Sequence, residues 1–169
     1  MKTLKIYTLT LLIAFFYAIT VHAQDVSLSK SFNKLIDSYI VLKNTLISGD
    51  GNTAENNAKD LMAALSEVQQ KAMTPEQSAL WTKYAEKLKF DSRHISEVDR
   101  VAHQREHFAS LSTNLFAVLK GFKLNQKNLY WEYCVMKNNY YISEIPKGKD
   151  PYMGMANCSK VKETLPGVK

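Results

Sequence analysis

Between Ser29 and Leu119 the apolar residues return every three or four positions, in stretches separated by short breaks. That period is the signature of helices buried along one face, and it limits the fold more than any other feature of the chain. The first stretch carries Phe32, Leu35, Ile36, Tyr39, Leu42 and Leu46 and predicts a helix from Ser29 to Ser48. Gly49-Asp50-Gly51 ends it, because glycine accepts the left-handed geometry of helix ends. A second helix is expected from an N-cap at Thr53, with Ala54, Ala58, Leu61, Met62, Leu65, Val68 and Ala72 as its stripe. Thr74-Pro75-Glu76-Gln77 starts a third: Thr as cap, Pro at the first helical position, Gln three residues after the cap. It carries Leu80, Trp81, Tyr84 and Leu88. Phe90-Asp91-Ser92 reads as a break or bend. Beyond it a long pattern runs through Ile95, Val98, Ala102, Ala109, Ser112, Phe116 and Leu119 to a stop at Gly121. Four such stripes joined by short links bury one another best as an antiparallel four-helix bundle.

After Gly121 the period changes. Leu129, Trp131, Tyr133 and Val135 alternate with Tyr130, Glu132, Cys134 and Met136, and the aromatic content favours a strand. Tyr140-Tyr141-Ile142 supplies a partner across Lys137-Asn138-Asn139, and Pro146 to Pro151 marks a loop. The expected architecture is therefore mainly α: a bundle over residues 24–122, with a small C-terminal β-hairpin and loop segment over 123–169 packed on it as part of the same domain.

The first 23 residues have the layout of a secretory signal peptide: Lys2 and Lys5, an apolar run from Leu9 to Ile19, and a small-residue exit at Val21-His22-Ala23. Cleavage after Ala23 and a periplasmic location are expected. The apolar run is about half the ~20 residues that cross a bilayer, so no retained anchor is expected. Of the formal net charge of +6, Lys2 and Lys5 contribute two. The remaining basicity is modest and lacks the clustered pattern of a nucleic-acid footprint.

Both cysteines, Cys134 and Cys158, and three of the six methionines, Met136, Met153 and Met155, fall in the stretch from Tyr130 to Ser159. Cys134 and Met136 stand two apart and share a face if the strand continues through them. Met155 and Cys158 stand three apart and share a face in a helical turn. Convergence of the two pairs would create a soft site suited to Cu(I) or Ag(I). Zinc fits that donor set less well. His103 and His107, four apart in His-Gln-Arg-Glu-His, project from one helix face, which looks to water or lies under the C-terminal segment. They are outer or alternative ligands, whereas His94 reads as a bundle residue. Arg105 falls near the buried stripe and is expected to tether its helix to another element. The alternative for the cysteines is a Cys134–Cys158 disulfide in a structural or interaction module, which in the chain-entropy treatment adds ~3 kcal/mol. The sequence has no nucleophile elbow, glycine-rich phosphate loop, paired catalytic carboxylates or zinc-hydrolase motif, so a binding protein is expected rather than an enzyme.

These residues resemble a Bacteroidota family of exported domains of unknown function, found alone after a signal peptide or fused to copper- and silver-efflux adaptor proteins. The likeness runs through Tyr39, Leu42-Lys43, Asp50, Ala54 and Ala58, then His103-Gln104-Arg105-Glu106-His107-Phe108 with Leu111-Ser112, and finally Tyr133-Cys134 and Asp150-Pro151-Tyr152. Where the family has Cys-Pro-Met, this chain has Cys134-Val135-Met136. Where it has Met-Leu-x-Cys-Gly after Asn-Pro-Tyr, the chain has Met155-Ala156-Asn157-Cys158-Ser159 after Asp150-Pro151-Tyr152. The resemblance implies heavy-metal homeostasis, with an efflux adaptor or another periplasmic metal-handling protein as partner.

Overall fold

The computed structural model describes residues 26–168, so the expected signal peptide and its cleavage point lie outside the described residues. Helix α1 covers 26–48 and α2 covers Gly51–Ser66. A short 3-10 turn at Gln70–Ala72 precedes α3 (Pro75–Ser96) and α4 (Val101–Phe122). Three strands follow: β1 (Leu129–Cys134), β2 (Asn139–Ser143) and β3 (Ser159–Leu165). The helices form the expected bundle, and the sheet is antiparallel in the order β2-β1-β3. No described helix is long and apolar enough to cross a membrane.

The α1 stripe is buried as read, from Phe32 through Leu46. Helix α2 starts earlier than expected: Asp50 rather than Thr53 is the N-cap, accepting the Thr53 N–H at 3.0 Å and the Thr53 hydroxyl at 2.6 Å. It also stops at Ser66, leaving Ala72 to the 3-10 turn. The reciprocal capping box of Thr74 and Gln77 forms as expected, with bonds of 3.0 and 3.2 Å. Phe90-Asp91-Ser92 does not break α3. The helix continues to Ser96, because Asp91, Ser92 and Ile95 keep its buried face and Ser92 Oγ bonds back to the Leu88 carbonyl. The break falls at 97–100.

The phase of α4 also differs from the expected one at its start. Ala102 is exposed, whereas Gln104 and Phe108 are buried. Gln104 donates to the carbonyls of Gly51 (2.9 Å) and Val98 (2.6 Å), so a polar residue takes an inward position where two helix ends meet. Gly121 lies inside α4, which ends at Phe122 with Lys123 in the left-handed region (φ 54). Glycine at 121 makes room for α3, since a Cβ there would stand 2.2 Å from Leu80 Cδ2.

The sheet is joined to the bundle through Tyr39. Its buried hydroxyl accepts the Ile142 N–H of β2 at 3.0 Å and lies 2.7 Å from Ser112 Oγ of α4. Ser112 gives its own proton to the Phe108 carbonyl, so Tyr39 donates to Ser112. Burial pushes the Tyr39 hydroxyl pKa far up, which keeps it a donor. Trp131 of β1 stacks on Phe116 at 4.1 Å between ring centroids. Tyr39→Phe is expected to leave the Ile142 N–H unpaired in the core. The expected loss is about 1–3 kcal/mol, seen as a lower urea midpoint at unchanged denaturant slope. An unchanged midpoint would mean that the hydroxyl holds nothing together.

Candidate metal centre

Strand β1 is interrupted by a bulge between Trp131 and Glu132. The bulge shifts the alternation, so Leu129, Glu132 and Cys134 are the buried positions of one strand. Glu132 is satisfied there: its carboxylate accepts the Lys147 N–H at 2.7 Å, the Tyr141 hydroxyl at 3.3 Å and the Ser159 hydroxyl. The strand ends at Cys134, which is the register partner of both Asn139 and Ser159. Cys158, the residue before β3, is thereby brought beside it. The Val135 N–H donates to the Cys158 carbonyl at 3.3 Å, and the two sulfurs stand 3.2 Å apart with no bond between them.

Asp150 completes the group. Its buried carboxylate accepts the N–H groups of Tyr152 and Met153 on Oδ1, each at 2.9 Å, and of Met155 on Oδ2 at 3.3 Å. The Cys158 thiol lies 2.9 Å from Oδ2 and the Cys134 thiol 3.7 Å from Oδ1. A carboxylate offers about four lone-pair sites. Three backbone donors leave one of these, on Oδ2, for Cys158 or for a cation that replaces its proton. Asp150 thus shapes the loop over 150–155 and also faces both sulfurs. Among the described residues, Cys134, Asp150 and Cys158 form the group whose donor atoms lie within 4.8 Å of one another.

The loop reaches this position through Gly154, which has φ +70 and packs so closely on α1 that a Cβ would stand 2.7 Å from the Ile47 carbonyl oxygen. Arg105 of α4 lies near enough to feel the Asp150 charge. Its Nη2 donates to the Leu46 carbonyl at 2.7 Å, so it tethers α4 to α1 as expected. Burial lowers the Arg105 pKa and the neighbouring Asp150 charge opposes that shift. The Cys158 thiol is pushed far above the ordinary thiol range by burial first, then by its bonds to Asp150 and Cys134.

The other expected ligands are two methionines and two histidines. Met136 sits in the turn after β1, exposed by 62%, because the strand stops at Cys134 and the two-residue spacing no longer defines a shared face. Met155 is exposed by 45%, in a loop rather than a helical turn. His103 and His107 do not join the sulfurs: His107 pairs with Asp91 of α3 at 3.1 Å, and His103 packs on His107. Asp150 is the residue the sequence reading left out of the site. Its signal was an Asp-Pro-Tyr-x-Gly run, in which an aspartate ahead of a turn is placed to accept backbone N–H groups.

A family model described as a protein of unknown function (DUF3347) matches residues 35–127, more than half of the chain, and the chain belongs to that family. The match covers α1 from residue 35 onward and all of α2, α3 and α4, and the sulfur-bearing strands and loop fall beyond it. No curated protein and no solved structure matches the chain.

Proposed function

We propose that this member of the DUF3347 family is an exported, periplasmic protein of heavy-metal homeostasis that takes up a soft cation, Cu(I) or Ag(I), at Cys134 and Cys158. The observation that carries the reading is a pair of thiols 3.2 Å apart beside the buried Asp150 carboxylate. Two sulfurs select soft ions. Uptake replaces the thiol protons, because the thiolate is the ligand. A burial-raised Cys158 pKa keeps that thiol protonated until a cation compensates the charge. Asp150 holds the loop that aims Cys158 and, once the proton leaves, has one oxygen lone pair facing the cation. Met136 and Met155, both exposed, are accessible thioethers for handing the ion to a partner, either a metal-efflux adaptor or another periplasmic metal carrier.

Anaerobic Cu(I) titration of the reduced protein against a competing chelator is expected to give one ion per chain. Cys134→Ser and Cys158→Ser are each expected to abolish competition, and Met136→Leu and Met155→Leu to weaken it by a smaller factor. Wild-type protein that fails to compete would overturn the reading. The contact between the two sulfurs favours a second reading, a structural disulfide. The raised Cys158 pKa opposes it kinetically, since exchange and oxidation proceed through thiolate. Thiol counting on protein taken directly from the periplasm separates the two. Two free thiols are expected for the metal site and none for the disulfide.

A further inference from the structure

The chain has four histidines, and all three beyond His22 meet in one place on the bundle surface, at the junction of α3 and α4. The His94 and His107 rings stack with centroids 4.6 Å apart, and His103 meets His107 edge-on at 4.8 Å. Nδ1 is hydrogen-bonded to the Phe90 carbonyl at 2.9 Å in His94 and to Asp91 Oδ1 at 3.1 Å in His107, and His103 Nδ1 lies 3.3 Å from Glu106 Oε2. An acceptor at Nδ1 holds the N–H there and leaves the lone pair on Nε2. In His107 this is the outer-shell arrangement of a metal-bound imidazole. The Asp91 contact is the most built of the three, because its side chain is 5% exposed and His107 is 19% exposed. A buried carboxylate on an imidazole fixes the tautomer and orientation of the ring.

We infer that His94, His103 and His107 form a second cation site, separate from the sulfur pair and selective for an imidazole-preferring divalent transition ion, with Cu(II) the tightest binder. Two histidines four apart on one helix face can chelate one ion, and His94 adds a third imidazole from the neighbouring helix. Nitrogen donors suit Cu(II), Ni(II) and Zn(II), and affinity along the first row peaks at Cu(II). His107 is the fixed ligand, held by Asp91. His94 and His103 are part-exposed, so rotation about their side-chain bonds, with release of the Phe90 and Glu106 contacts, would bring their ring nitrogens to the same ion. No residue of the sulfur pair takes part, so the chain would hold soft and borderline ions on different elements.

The test uses the Cys134→Ser/Cys158→Ser protein, which keeps thiols from reducing Cu(II), with Cu(II) itself as the probe. Electron paramagnetic resonance is expected to show one Cu(II) per chain coupled to several imidazole nitrogens. His94→Gln/His103→Gln, at part-exposed positions, is expected to lose that multi-nitrogen signal with the helical circular dichroism intact. Asp91→Asn is expected to weaken binding about 10–100-fold while keeping the same ligand nitrogens. A signal and affinity unchanged in His94→Gln/His103→Gln would overturn the inference. Proton NMR with substoichiometric Cu(II) tests it without any histidine variant: the imidazole resonances of all three must broaden together, and broadening of one or none sinks the site. Neither result depends on whether Cys134 and Cys158 bind Cu(I).

Discussion

Gly51→Ala is expected to destabilise the fold by about 4 kcal/mol, among the largest effects a single methyl group can have. Gly51 is the first residue of α2 and is buried against the turn between α3 and α4. A Cβ at this position would lie 1.7 Å from the Asp99 carbonyl oxygen and 3.2 Å from Val101 Cγ2. The nearest obstacle is backbone, which cannot rotate away as a side-chain tip can. Relief requires the start of α2 to back off the α3–α4 turn, and that movement also stretches the 2.9 Å bond from Gln104 Nε2 to the Gly51 carbonyl. Gln104 is wholly buried, so its amide would lose a partner with no water to replace it. Urea unfolding of wild type and variant measures the difference. A loss below 1 kcal/mol would mean that the turn yields freely and that glycine is not required there for space.

Glu144→Gln is expected to cost about 3 kcal/mol, at the lower end of the range for breaking a buried ion pair. Lys43 of α1 is 3% exposed at its side chain and reaches Glu144 Oε2, just after β2, at 2.5 Å. Glutamine fills the same volume but leaves the ammonium buried without a counter-charge. Because Glu144 is 32% exposed, water offsets part of the loss. The variant should also change the response to acid. Burial raises the Glu144 pKa, but the bond and charge of Lys43, its own backbone N–H and the Asn44 amide together outweigh that effect, and the net shift is downward. A carboxyl lowered in the folded state contributes stability that is complete above its unfolded pKa, about 4.3, and is lost as pH falls through the folded value. Wild type should therefore lose more stability than Glu144→Gln as pH drops through and below 4. Parallel stability profiles for the two proteins over that range would show that the pair is not linked to folding.

Both substitutions probe junctions between elements, and junctions are where the sequence was hardest to read. Phe32 to Leu46 told the α1 face correctly because one helix needs only its own period to declare an inside. Thr74 and Gln77 declared the start of α3 for the same reason, with donor and acceptor three residues apart. Gln104 broke the pattern: an amide sits inward at the start of α4 because carbonyls of Gly51 and Val98 await it, and those partners are distant in sequence or in a loop. Gly121 carried the local signal of a helix stop, yet it serves the approach of Leu80 from another helix. The third strand had no legible signal either. Ser159–Leu165 reads as a polar segment, and it becomes a strand by pairing with β1.

The same division runs through the candidate sites. From the sequence alone came the helical bundle, the switch to strands after Gly121, and the crowding of Cys134 and Cys158 into the last part of the chain, all of which depend on composition and spacing within short windows. Tertiary structure decided which side chains meet. The bulge at Trp131/Glu132 and the end of β1 at Cys134 set the thiol against Cys158 and left Met136 in the turn. The turn at Gly154 carried Asp150 beside the sulfurs, and the packing of α3 on α4 drew His103 and His107 to Asp91 and His94. Helical period is a property of neighbours along the chain. Convergence of donors is a property of strand register and helix packing, which join residues tens of positions apart and leave no repeat in the sequence to mark them.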